Sequence, residues 1–495
     1  MSAPGEPGEG VPVDVLDTGA AGGRAIRGGA LRTAGYFATS LMGLVAVPFM
    51  TRHLGPVNLG YYTTVASIVF ILGGITEAGL TNLAVREYTV LHGAEREVFL
   101  RNLVGLRFAL TTAGILVAVA VTAVTGAPSV VVQGTAISGL ALLITLSQQT
   151  YMVPLTAQLR LGWVTALDLI RQTTLSSLII ALVIVGAGLV PFFWAGVAAA
   201  VATITATVAL VHREAELRPA FDLPTWRRVL RETLPYAVAV AVGLIYFRIA
   251  VVLMSYVSSE DETGYFSAAF RIVEAIAVVP WIVVSSGFPI LARAARDDES
   301  RLAYALQRLF EVSTALGAWI ALCIGVGAEF AIDVIAGPKF EESVDILRIQ
   351  GVGLLTAFLV ATWLFALLSL GLFRQLLIAN AVAAAVAIVG TLALAPSLGG
   401  KGAAIATVAA EASLAIGCLI AMRRARPALS PRIAVIPKVV AAVGAGLVPA
   451  LLLDAHPVIE VVLSTVAYFA VLLALRGLPP ELLNALRGRD PEPTS

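Results

Sequence analysis

About fourteen apolar runs follow one another along this chain, each near the twenty residues an α-helix needs to cross a bilayer core. Read against their charged, glycine and proline breaks, the first six fall near 30–50, 60–83, 104–125, 129–153, 166–188 and 190–211. The second half adds runs near 234–257, 264–290, 309–335, 343–370, 375–396, 400–421, 434–453 and 457–475. No soluble core absorbs so much apolar side chain. Of the 495 residues, 58% are hydrophobic and 13% charged, against about 45–50% and about 25% in soluble domains. Only 7% are aromatic, so the excess is small and aliphatic, the mix that lets helices pack closely in lipid. The expected fold is an all-α integral membrane protein of about fourteen transmembrane helices.

Charge placement sets an expected orientation. With the N-terminus inside, the inner segments collect Arg24, Arg27 and Arg32, then Arg86, Arg96, Arg101 and Arg107, then Arg160 and Arg171. They continue with Arg213, Arg218, Arg227, Arg228 and Arg231, then Arg293, Arg296, Arg301 and Arg308, then Arg374. The last inner groups are Arg423, Arg424, Arg426, Arg432 and Lys438, and finally Arg476, Arg487 and Arg489. Outer loops hold only Arg52, Lys339 and Lys401. The bias survives every span, as the positive-inside rule requires. An even number of spans then leaves both termini cytoplasmic, in a multi-pass protein of the cell (inner) membrane. The first 23 residues lack the basic start and short apolar stretch of a signal peptide.

The chain repeats itself. Gly60-Tyr61-Tyr62 followed by Ile68-Val69 recurs as Gly264-Tyr265-Phe266 followed by Ile272-Val273, with unchanged spacing. Each copy opens an even-numbered helix just after an outer loop. Two bundles of six helices would produce the match, and repeated bundles around a midplane site are a common transporter plan. The expected organisation is a disordered cytoplasmic tail over 1–23, a six-helix bundle over 24–212, and a cytoplasmic interfacial linker over 213–232. A second six-helix bundle over 233–426, helices 13 and 14 over 427–476, and a cytoplasmic tail over 477–495 complete it. Trp226 beside Arg227, Arg228 and Arg231 suits a short helix lying on the inner membrane surface, either as a link that lets bundles rock or as a solvated loop.

A net charge of +1 argues against a nucleic-acid partner. Cys323 and Cys418 each lie inside an apolar run and read as small buried hydrophobes. His53, His92, His212 and His456 are scattered, and no metal-ligand cluster, phosphate-cradling glycine loop or nucleophile triad is present. The chain is therefore expected to be no enzyme and to need no cofactor or metal.

Ionisable groups inside the spans are the informative ones, because each costs about 3 kcal/mol at the bilayer centre and normally faces a cavity or a partner. Arg248 lies about nine residues, roughly 14 Å, from the outer end of helix 7. It has no acidic neighbour on its own helix, which favours a functional role. Arg271 and Glu274 lie about 10 and 15 Å into helix 8. Their three-residue spacing permits a structural bridge between them. Glu77 in helix 2 and Glu411 in helix 12 read either as proton or sodium sites or as hydrogen-bonded links between helices. Asp168 with Arg171, and Asp345 with Arg348, are interfacial pairs with a structural role. Arg52 begins the first outer loop, beside a tight Gly55-Pro56 turn.

With these residues in place, the sequence resembles the polysaccharide exporter and O-antigen (lipid-linked oligosaccharide) flippase family. That family belongs to the larger group of multidrug, oligosaccharidyl-lipid and polysaccharide transporters. The stretch Thr51–Glu87 is similar to its R-x-L-G-P-x-x-x-G-x-Y pattern, followed by an acid-x-G-L turn and a closing V-R-E. GYFSAAFR, ending at Arg271, resembles the family's start of helix 8; a weaker likeness covers Ile335–Phe340 and Ile346–Arg348. The resemblance implies two six-helix bundles around a central cationic cavity, with helices 13 and 14 peripheral. It implies transport of undecaprenyl-pyrophosphate-linked oligosaccharide from the inner to the outer leaflet by alternating access. Arg52, Arg248 and Arg271 become the substrate-binding candidates. Many relatives carry an acid two residues after the equivalent of Arg248; here Ala250 stands there. Ion coupling then falls to Glu77, Glu274 or Glu411. The implied partners are the lipid-linked substrate, the bilayer, and a glycan polymerase with glycosyltransferases; the chain is expected to act as a monomer.

Other readings share the fold or the membrane. A cation-coupled drug antiporter would use an acid in helix 1, and Thr33 to Met50 contains none. A lipid II flippase would cluster arginines early in that helix, where only Arg32 stands at the inner edge. A membrane-embedded polymerase or glycosyltransferase needs a sizeable outer loop, and every outer loop is short. A scaffold that transports nothing has no use for a buried Arg248.

Overall fold

The computed structural model describes residues 20–77, 79–212, 218–297, 299–453 and 455–478. Among them there is no strand. The helices of the first half are α1 (Ala20–Glu77), α2 (Leu80–Val90), α3 (Gly93–Val124), α4 (Ser129–Tyr151), α5 (Val153–Ala157), α6 (Leu161–Ile184) and α7 (Leu189–Val211). There follow α8 (Leu223–Val257), α9 (Glu260–Ile276), α10 (Val278–Asp297), α11 (Glu299–Ile335), α12 (Ser343–Ser369), α13 (Phe373–Ala425), α14 (Val435–Leu452) and α15 (Pro457–Ala474).

Among the described residues, twelve stretches are long and apolar enough to cross a membrane. Two of them cross twice. The 58 residues of α1 would extend about 87 Å if straight, far more than a bilayer. Instead α1 breaks at Gly55, where φ is 69° and Pro56 follows. The 53-residue α13 breaks at Gly399, with φ 56°. Positive φ suits a residue without Cβ, so a glycine marks each reversal. In α13 the helix records the reversal in its own contacts. Gly390 lies against Ala406, Gly402 against Leu394 and Gly417 against Ala379, each pair centred on position 398, which describes an antiparallel hairpin. The crossings therefore number fourteen, as the apolar runs predict.

Two expectations change. The run 264–290 is interrupted at Ala277, between α9 and α10. Pro280 lies just beyond and has no N–H to donate back to the preceding turn. The basic segment Trp226–Arg231 is not a separate surface helix; it forms the first turns of α8, continuous with the span ending at Val257. Its approach is docked on α3: the Trp226 indole donates to the Asn102 carbonyl at 3.1 Å, and the Asp222 amide donates to the Asn102 side chain at 2.9 Å. Residues 20–23, expected in the tail, open α1, while 1–19, 213–217 and 479–495 lie outside the described residues.

The chain forms two compact units. One takes in the chain up to Val47, with Leu72–Gly126 and Val132–Val238; the other takes in Pro48–Ile71, Ala127–Val131 and the chain from Ala239. The tip of the first hairpin, on both sides of Gly55, therefore packs with the second unit. In that unit α9 is capped locally by Ser259, whose hydroxyl accepts from the Glu262 amide, with three acids in its first turn where the helix dipole favours them. Glu262 in turn accepts from the Gly400 amide at 2.6 Å, tying α9 to the α13 hairpin. α15 covers α11 through Tyr468, which donates to the Ala315 carbonyl at 2.8 Å, and through Thr465, which accepts from the Trp319 indole at 3.1 Å. The remaining faces of α14 and α15 are exposed and apolar, Val440, Leu447, Val462 and Val466 among them.

Candidate anion site in the second unit

Three of the charged residues singled out above come together. Arg248 of α8 is 8% exposed. Its guanidinium is ion-paired with Glu274 of α9, whose side chain is 35% exposed. Aromatic faces surround the cation: Phe70 lies 4.6 Å from it, Phe270 5.3 Å and Phe247 5.7 Å. Arg271 lies over the Tyr62 ring at 5.2 Å. Ring faces attract a guanidinium without neutralising it, so they hold a cation in an apolar setting while leaving its charge available.

The pairing differs from the one the spacing allows. Arg271 and Glu274 lie one turn apart on α9 and could bridge, yet Glu274 turns to α8. The physical reason is relative burial. Arg248 is the more deeply buried guanidinium, and a buried cation left without a partner is the costlier arrangement. Arg271, half-buried, keeps the Tyr62 ring and has no carboxylate partner among the described residues. The cluster thus carries two cations and one carboxylate. Planar guanidinium forks match phosphate and carboxylate oxygens, so this arrangement suits an anion entering from the side of Glu274.

The other candidates lie elsewhere. Arg52 donates to the Asp333 carbonyl at 2.6 Å and packs beside Gly337. It borders a cavity of about 440 Å³ lined by Glu329, Asp333, Glu341, Glu342, Asp345 and Arg348. The expected Asp345–Arg348 pair is present at 3.3 Å, with Lys401 closer to Asp345 at 2.7 Å. Glu77 is in the first unit. It caps α2, accepting from the Gly79 and Thr81 amides at 3.3 and 3.2 Å, and pairs with Arg107 at 3.5 Å. Glu411 fronts a cavity of about 40 Å³ with Tyr246, Gln350 and Thr407, and that cavity shares Phe247 and Phe270 with the Arg248 cluster. The Gln350 amide and the Tyr246 hydroxyl are buried there without a hydrogen-bond partner of standard geometry. Among the described residues no group of three or more His, Cys, Asp or Glu is arranged to hold a metal ion.

Two features escaped the sequence. Arg107 reads as an interfacial inner-side charge, yet it is fully buried. Its signal is the apolar run that encloses it, NLVGLRFAL, where a solvated charge would have polar neighbours. The aromatic lining drawn from Tyr62, Phe70, Phe247 and Phe270 has no linear signature, because it comes from three helices.

A family model described as a polysaccharide biosynthesis protein matches residues 25–295. Among solved structures, the fold is similar to that of a lipid II flippase, MurJ, in an inward closed conformation. The TM-score is 0.75 at 12% identity, over 90% of this chain and 99% of that one. It is also similar to an inward-facing multidrug resistance MATE family transporter of the MOP superfamily, with TM-score 0.61 and 16% identity over 79% of this chain and 95% of that one. A MOP superfamily transporter from Pyrococcus furiosus matches with TM-score 0.52 and 16% identity, over 83% and 96% of the two chains. A search of curated protein sequences gives no match. At these identities the likeness is one of fold alone: a multi-pass helical membrane fold.

Proposed function

The chain belongs to the polysaccharide biosynthesis protein family, and from that premise we propose that it is a flippase for lipid-linked oligosaccharide. Its substrate is an undecaprenyl-pyrophosphate-linked sugar unit, carried from the inner to the outer leaflet of the cell membrane by alternating access, with both termini cytoplasmic. One observation supports the reading above others: two cations, Arg248 and Arg271, stand with one carboxylate, Glu274 on Arg248, inside an apolar, aromatic-lined site.

The physics of the task asks for such a site. A pyrophosphate and a string of hydroxyls lose their water in hydrocarbon, at several kcal/mol for each unsatisfied group. Fixed cations at membrane depth replace part of that water while the prenyl tail stays in lipid. An inside-negative potential adds about 2.3 kcal/mol per charge per 100 mV, so two negative charges moving outward gain roughly 4–5 kcal/mol. Glu274 acts as the resident counter-ion that an incoming phosphate displaces from Arg248. Glu77 is committed to α2 and Arg107, which leaves Glu411, on a small and largely apolar cavity with Tyr246, Gln350 and Thr407, as the candidate for ion coupling. Arg52 contributes at the outer end of the path.

The test is Arg248→Ala combined with Arg271→Ala. Stably expressed double variant is expected to accumulate lipid-linked precursor on the inner leaflet and to export little polymer. Normal export from well-expressed variant removes both residues from the path and the substrate assignment with them.

A further inference from the structure

The two copies of the repeated segment meet. A Cβ added to Gly60 would lie 3.0 Å from the Gly264 amide nitrogen, and one added to Gly264 would collide with the Pro56 carbonyl. Backbone therefore touches backbone. Both sides of this seam, α1 beyond Gly55 and the start of α9, belong to the same compact unit. On a helix, residues three, four and seven along share a face. The glycine-bearing face of α1 thus carries Thr63, Thr64 and Ser67, and that of α9 carries Ser267, Ala268 and Arg271.

The hydroxyls on this seam are gathered on two facing helices. Thr63, Thr64, Ser67 and Ser267 are at most 2% exposed, and none of their oxygens has a hydrogen-bond partner. Some buried threonines elsewhere take the carbonyl one turn back: Thr203 donates to Ala199 at 2.7 Å, Thr314 to Phe310 at 2.7 Å and Thr362 to Phe358 at 3.0 Å. Others, Thr111 and Thr391 among them, do not, but none of those lies on this seam. An unanswered buried hydroxyl keeps its full desolvation cost. Four of them bordering one backbone contact weaken it where valine or alanine would have strengthened it.

We propose that the Gly60–Gly264 seam is a reversible gate, kept marginal by these four hydroxyls, which are unpaired while it is shut and hydrated when it parts. The glycines allow a tight closure; the hydroxyls prevent it from being permanent. In the orientation proposed above the gate lies toward the outer leaflet, where a head group must leave. The inference rests on the transporter reading.

The test uses the full chain in lipid nanodiscs, with Cys323→Ser and Cys418→Ala, and Ser267→Cys as a reporter labelled by N-ethylmaleimide. Because Ser267 is fully buried, its labelling rate reads opening, even when opening is rare. Adding Thr63→Val, Thr64→Val and Ser67→Ala is expected to slow labelling at least about tenfold. Gly60→Ala, milder than Gly264→Ala, is expected to speed it. Equal rates with and without the hydroxyls overturn the proposal, as does an unlabelled reporter in Gly60→Ala protein. No substrate enters this measurement, so its failure leaves the Arg248 and Arg271 assay standing, and failure of that assay leaves the gate standing.

Discussion

Each unit buries an arginine–glutamate pair, and the two pairs are built differently. In the first unit Arg107 has no exposed surface; its Nη1 donates to the Leu146 carbonyl and to Thr150, and its Nη2 to Thr81 and Glu77. Glu77 is itself held by two backbone amides. In the second unit Arg248 has a single acceptor among the described residues, Glu274, whose carboxylate is partly open, and a second cation, Arg271, close by. Both guanidiniums leave Nε without a partner, so the contrast lies in the Nη groups and in the carboxylate. A pair whose Nη groups and carboxylate are all answered locks helices together. A pair with one partner, ring faces for walls and a carboxylate that no backbone amide holds among the described residues can exchange that partner.

The contrast can be broken by substitution. Arg107→Ala has the largest expected effect on stability, a loss of about 3–5 kcal/mol, because it strands Glu77 and three other hydrogen-bond partners at once. Thermal unfolding in detergent checks it, and an unchanged midpoint would end the claim that this pair is structural. Arg248→Ala is expected to lower stability by only about 1–2 kcal/mol, since Glu274 can turn toward water, yet to abolish export. If it instead destabilised the protein as much as Arg107→Ala, the two pairs would be equivalent. Phe70→Ala removes one ring face from Arg248, worth about 0.5–2 kcal/mol, and a partial fall in export at near-normal expression is the expected result. Glu262→Gln gives the smallest effect, about 1 kcal/mol or less, through a weakened bond to the Gly400 amide. A double-mutant cycle sharpens the comparison: coupling between Arg107 and Glu77 should appear in unfolding, and coupling between Arg248 and Glu274 in export.

Some of this was legible early. Hydropathy sums over some twenty residues, so a few misplaced side chains do not erase a span, and Gly55 and Gly399 fall where the runs divide. The break at Ala277 was less visible, because one proline perturbs a helix locally while the apolar run continues through it. Arg248, Arg271 and Glu274 stood out as charges in apolar company. Their pairing did not. Spacing along α9 offers Arg271 to Glu274, and only the presence of α8 supplies the more deeply buried competitor.

By itself the sequence determined that this chain lives in a bilayer, how many times it crosses, and which charges had to be explained. Those follow from one-dimensional sums of transfer free energy, which need no partner. Tertiary structure alone decided that Glu274 answers Arg248, that Arg107 is sealed in, and that two repeated glycines meet with unpaired hydroxyls around them. Each of these is a contact between helices far apart in the chain. Its energy depends on distance and on the loss of water, and neither is written in the order of the residues.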